Sequence, residues 1–94
     1  MLKDKKYICF DFETTGLDIE KDEPIQIGII KFDQHFQIQD HFQSYIHPEK
    51  DIDELKKIVS FITNLTKQDL ENAPSIKDTI PKLERFFDKD CVLI

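Results

Sequence analysis

Asp11 and Glu13 stand two residues apart in the run Cys9-Phe10-Asp11-Phe12-Glu13, at the end of the apolar, β-prone stretch from Tyr7 to Phe12. In an extended chain, side chains two apart project to the same face, so both carboxylates point one way while Phe10 and Phe12 pack behind. Two carboxylates at the end of a buried strand repel each other and lose hydration, which destabilises the fold unless a counter-charge offsets it. A divalent cation is the usual counter-charge. Hard oxygen ligands suit Mg²⁺ or Mn²⁺, which keep positions open for water and phosphate. The alternative is a pair of solvated acids where a strand emerges into a turn, and D-x-E spacing alone does not decide between them.

Other reactive residues are less promising. His35, His41 and His47 lie in the strand region and none stands in an H-x(4)-D context at the end of the domain, so solvated or structural histidines are expected. Asp18, Glu20, Asp22 and Glu23 lack the glycine and closing glutamate of a calcium-binding EF-hand, and read as a solvated loop. Cys9 and Cys91 form no CxxC pair and are expected to be buried free thiols in a reducing compartment.

The elements that must hold Asp11 and Glu13 follow from periodicity. Residues Tyr7 to Phe12 read as a first strand, ended at Thr14-Thr15-Gly16, where glycine permits a tight turn. A charged loop closed by Pro24 leads to a second strand, Ile25 to Phe32. After a turn at Asp33-Gln34-His35, a third strand starts at Phe36, with Phe36, Ile38, Phe42 and Ile46 on one face and Gln37, Gln39, His41 and Gln43 on the other. Short connections predict an antiparallel meander. Asp51 to Val59 offers a short helix, and Thr66 a cap for a turn through Leu70 and Glu71. Ser75 caps a clearer helix whose stripe is Ile76, Ile80, Leu83, Phe86 and Phe87, with Pro81 bending or tightening it. The final Cys91 to Ile94 reads as a strand, parallel to an earlier one after a crossover helix.

Bulk properties narrow the class. Ninety-four residues form one small core, and a 34% charged fraction indicates a soluble surface. The chain has no run of eighteen apolar residues for a membrane span and no signal-peptide pattern at Met1-Leu2-Lys3, so a cytoplasmic protein is expected. A net charge of −6 argues against a protein that coats nucleic acid with a basic stripe. It permits a nuclease that neutralises phosphates with bound cations.

Several segments, in order, resemble the DEDD 3′-5′ exonuclease superfamily, in particular the DEDDh-type proofreading exonucleases of bacterial DNA polymerase III (epsilon or PolC type). The first motif of that family is an apolar strand followed by D-x-E-T-T-G-L, matched here by Asp11-Phe12-Glu13-Thr14-Thr15-Gly16-Leu17. Pro24-Ile25-Gln26-Ile27-Gly28 is similar to its second strand, and Ile46-His47-Pro48 to the end of its third. Ile62-Thr63-Asn64-Leu65-Thr66, then Leu70 and Ala73-Pro74, is similar to its T-G-I-T segment, with Asn64 in the place of a frequent glycine.

The resemblance implies an α/β, ribonuclease H-like mixed sheet of three antiparallel strands, a helix and a parallel fourth strand. Residues 1–94 would be the N-terminal portion of a single exonuclease domain, truncated after that strand. It further implies that Asp11 and Glu13 are catalytic metal ligands, with Asp11 shared between two Mg²⁺ or Mn²⁺ ions and Glu13 holding one. Thr14, Thr15 and Leu17 are then substrate-binding residues beside the terminal nucleotide. A single-stranded 3′ end is the implied substrate, DNA by preference because Thr14-Thr15 resembles the DNA-directed proofreaders. The family also needs a second aspartate after the fourth strand, and a late histidine or tyrosine with a final aspartate; neither falls within this sequence. The chain by itself is therefore expected to be inactive or nearly so. A DNA polymerase subunit or a second chain completing the domain are the implied partners, and the apolar last strand predicts self-association. The alternative from a different class is a catalytically incomplete module that binds a polymerase or a nucleic-acid end.

Overall fold

The computed structural model describes residues 4–16, 18, 20, 22–50 and 66–94. The helix expected within 51–59, the segment 62–65 and Leu17 lie outside the described residues.

Alternating apolar residues build three strands: β1 (Lys6–Thr14), β2 (Pro24–Phe32) and β3 (Ile38–Tyr45). Each pairs antiparallel with the next, and a short β4 (Cys91–Leu93) lies parallel to β1, giving the order β3-β2-β1-β4. This is the mixed four-stranded sheet the sequence predicts. A short helix α1 (Lys67–Glu71) begins at Thr66, whose hydroxyl accepts from the Asp69 amide while the Asp69 carboxylate accepts from the Thr66 amide. Helix α2 (Ile76–Leu83) is capped by the Ser75 hydroxyl and tightens into a 3₁₀ turn, Glu84–Phe86. Pro81 lies inside α2, so the amide that would bond the Lys77 carbonyl is missing. Among the described residues no helix is long and apolar enough to cross a membrane.

One side of the sheet is covered by this helical segment. Phe86, wholly buried, packs with Ile8 and Ile29, and around them lie Phe10, Phe42, Leu83 and Cys91. Ile80 and Phe87, expected on the inward stripe, are half exposed, and Thr79 is buried instead. Residues 76, 79, 83 and 86 trace the inner face of a helix of this length, and the Thr79 hydroxyl is satisfied by the Ser75 carbonyl at 2.7 Å.

Three further expectations are corrected. The third strand starts at Ile38, because Phe36 sits in the turn with φ of 62°. The Asp33 carboxylate holds that turn by accepting the amides of His35 and Gln37. The register also shifts between Lys31 and Phe32, so Ile38 falls opposite Phe32 and is not on the Phe42 face. Cys9 is exposed and Cys91 half-buried, so the thiols are free but Cys9 is not buried. Cys9 belongs to the odd-numbered side of β1, which no described helix covers.

Candidate metal and 3′-end site

That odd-numbered side carries the acids. Across the three antiparallel strands the pairing sets rows of side chains on one face: Cys9–Ile30–His41, Asp11–Gly28–Gln43 and Glu13–Gln26–Tyr45. Asp11 and Glu13 therefore project together from the last third of β1, as the D-x-E spacing predicts. Asp11 is exposed and Glu13 half-buried. Neither accepts a hydrogen bond or an ion pair from another described residue.

Asp11 borders an open cleft of about 350 Å³ floored by Gly28 and walled by Cys9, Ile30, Ile38, His41 and Gln43. A Cβ on Gly28 would meet nothing within 4 Å, so the floor beside Asp11 is open space. At the far end of the same face Phe36 stacks on Phe32, and Phe32 on Tyr7, at centroid distances of 5.9 and 5.7 Å. The acids thus occupy the end of the face away from the aromatic ladder.

Past Glu13 the pairing slips, with Thr14 opposite Pro24. Thr14 donates its hydroxyl to the Gly16 carbonyl at 2.7 Å, closing the turn locally. Thr15 is buried at 3% exposure, its amide donating to the Glu23 carbonyl at 2.9 Å. Its hydroxyl donates to Asp22 Oδ1 and accepts the Glu23 amide, both at 3.0 Å. Asp22 Oδ2 accepts the Asp18 amide at 2.8 Å. Glu23 in turn accepts the amides of Glu49 and Lys50, joining this loop to the segment after β3. The acidic loop read as merely solvated is thus partly structural. No periodicity or motif signals side-chain bonds of this kind.

The histidines divide as expected from their positions. His47 Nδ1 lies 2.8 Å from the Leu70 carbonyl and ties β3's exit to α1, while His35 sits exposed in the turn. His41 lines the cleft, its amide donating to the Asp40 carboxylate at 2.8 Å. Among the described residues no group of three or more His, Cys, Asp or Glu side chains converges. The donors available are the two carboxylates. They fit Mg²⁺ or Mn²⁺ in kind, being hard oxygens that no cation pairs with among the described residues, and such ions are commonly held by one or two carboxylates plus water and substrate phosphate.

The architecture is thus a mixed four-stranded sheet with a D-x-E pair at the end of its first strand. The RNase_T (Exonuclease) family model matches residues 8–94, and the chain belongs to that family. It is 37% identical over 90 residues to the PolC-type DNA polymerase III of Thermotoga maritima, spanning 96% of this chain but only 6% of that polymerase. Among solved structures it is similar to the nuclease domain of 3′hExo, a DEDDh family member bound to rAMP. The TM-score is 0.69 at 22% identity, covering 95% of this chain and 50% of that one. It is also similar to the zinc-bound Escherichia coli exonuclease I–single-stranded DNA complex. There the TM-score is 0.72 at 19% identity, covering 95% of this chain and 20% of that one. At these identities the two structures establish the fold; the family rests on the sequence match.

Proposed function

We propose that this chain is the N-terminal portion of a 3′-5′ exonuclease domain that hydrolyses single-stranded DNA, with Asp11 and Glu13 as ligands to Mg²⁺ or Mn²⁺. The observation that carries the reading is the pair of carboxylates on one face, without a partner among the described residues, inside a stretch that matches the exonuclease family. A bound divalent ion supplies charge neutralisation at the scissile phosphate and a water acidic enough to deliver hydroxide at neutral pH. The chain's own contribution is to aim two carboxylates at the same point and hold them there on a rigid strand. Thr14 and Leu17 are proposed to border the terminal nucleotide, and Thr15 to shape the turn that receives it.

The relatives lend support to the finer assignments. The PolC-type match favours DNA and a polymerase partner, and a replicative relative favours a cytoplasmic setting. The zinc-bound exonuclease I complex supports a metal-dependent site on this fold. The solved nuclease domain is twice the length covered here, in keeping with a site that needs further ligands from outside residues 1–94.

The test joins this chain to the segment that follows the matched stretch in the T. maritima polymerase, and presents a single-stranded oligonucleotide labelled at either end with Mn²⁺. The expected result is early release of the 3′ label, a ladder shortening from the 3′ end with the 5′ label, and loss of both in Asp11→Asn. A folded chimera that leaves the strand intact, or nicks it internally, contradicts the proposal. The 94-residue chain alone should trim little or nothing.

A second reading, a binding module for a polymerase or a nucleic-acid end, draws on the exposed Ile30, Ile38 and Tyr45 of the open face. Partner capture that Asp11→Ala abolishes without any dependence on metal would favour it.

A further inference from the structure

The turn after β1 carries more structure than a loop needs, and all of it converges on two side chains. Thr15 and Glu23 face each other like one more pair of the β1–β2 ladder: the Thr15 amide donates to the Glu23 carbonyl, but the Glu23 amide is received by the Thr15 hydroxyl. That same hydroxyl donates to Asp22, whose second oxygen fixes the Asp18 amide. Gly16 completes the arrangement, because a Cβ there would collide with the Asp22 carboxylate. The Asp18 carbonyl also receives the Asp22 amide at 2.7 Å, so both sides of this loop are tied to one residue.

The register slips just where the site needs it, between Glu13 and Thr14, and Thr14 falls opposite Pro24, which has no amide to donate. The ladder is thereby weakened at the residue that follows Glu13. We propose that Thr15 and Asp22 are a positioning pair for the metal site, reinforcing the slipped ladder with side-chain bonds and so fixing the direction of Glu13 and Thr14. The inference rests on the reading of Asp11 and Glu13 as metal ligands, and it assigns Thr15 a role through Glu13 and not through contact with substrate. Thr15 itself is buried at 3% exposure, so its hydroxyl bonds are shielded on the Thr15 side and costly to leave unmade.

Thr15→Val keeps the shape and removes the hydroxyl; Thr15→Ser keeps the hydroxyl and loses only a methyl. Both are made in the 94-residue chain, with Asp22→Asn beside them. Two measurements are taken: amide hydrogen exchange at Asp18 and Glu23, and Mn²⁺ affinity by titration. In Thr15→Val the Glu23 amide is expected to lose about tenfold in protection, and Mn²⁺ affinity to fall by a similar factor while the rest of the sheet keeps its protection. Thr15→Ser is expected to restore both to within about twofold. Asp22→Asn, which can accept only one of the two bonds, should lose protection at the Asp18 or the Glu23 amide.

Unchanged Glu23 protection in Thr15→Val overturns the proposal. So does lost protection with undiminished Mn²⁺ affinity, since the turn would then be structural only. A wild-type chain whose Mn²⁺ affinity equals that of Asp11→Asn overturns the metal-site reading, and with it the positioning role, while Glu23 protection reports separately on whether the turn is built as described.

Discussion

At the scale of single residues, the chemistry of this chain reduces to two carboxylates that have no partner among the described residues. Because Asp11 is exposed and unpaired within the described residues, Asp11→Asn should change stability by no more than about 0.5 kcal/mol. Thermal unfolding of the variant checks this, and a large loss would mean that Asp11 has a structural task. Phe86 is the opposite case. It is wholly buried between Ile8 and Ile29, so Phe86→Ala should cost about 3–5 kcal/mol, a large part of the stability of a small domain. Urea unfolding followed by circular dichroism measures the difference. The placement of Asp11 and Glu13 was legible in the sequence because alternation over Tyr7 to Phe12 fixes which side chains share a face. The bonds of Asp22 were not, since an aspartate in a loop looks the same whether water or a buried hydroxyl holds it.

At the scale of elements, two charged contacts fasten the helical segment to the sheet. Asp88 receives Lys31 Nζ at 2.8 Å, and this bond, with lesser help from Cys91 and the Asp90 amide, lowers its pKa from the ordinary 3.8 to about 2. Asp40 takes the Arg85 guanidinium at 2.8 Å, which likewise holds its pKa below the usual carboxylate range. A carboxylate whose pKa is depressed in the folded state adds stability above its unfolded pKa and loses it as pH falls towards the folded value. Stability should therefore drop between about pH 4 and pH 2, and Asp88→Asn should flatten that drop. A melting-temperature series against pH, wild type beside variant, decides the matter, and parallel curves would count against it.

The same scale shows where periodicity misleads. The sequence places Ile38 with Phe42, but the slip at Lys31–Phe32 moves it to the opposite face, and no residue type in that turn announces the slip. Ile80 satisfies the apolar stripe of α2 yet is half exposed, because the buried row runs through Thr79. A threonine able to bond its own helix carbonyl is as acceptable inside as an isoleucine.

At the scale of the whole molecule, one side of the sheet is covered by described helix and the other is not. Leu93 and Ile94 at the end of β4 are 60% and 67% exposed, and Ile30 and Ile38 open onto the acid-bearing face. A short, apolar edge strand beside an open face should self-associate, so light scattering at high concentration is expected to show dimers or larger species. A clean monomer would contradict this. The fold itself was readable from element order and the family motifs, whereas the completeness of the site was readable only as a count of ligands. The account stands on Asp11 and Glu13 binding a divalent ion at the end of β1, and paramagnetic broadening of backbone amide signals by Mn²⁺ tests that most directly. Signals around Asp11, Glu13 and their row partners Gly28 and Gln26 should broaden at low Mn²⁺ and recover in an Asp11→Asn, Glu13→Gln double variant. Broadening confined to the acidic loop at Asp18 to Glu23, or unaffected by the double variant, would contradict the account.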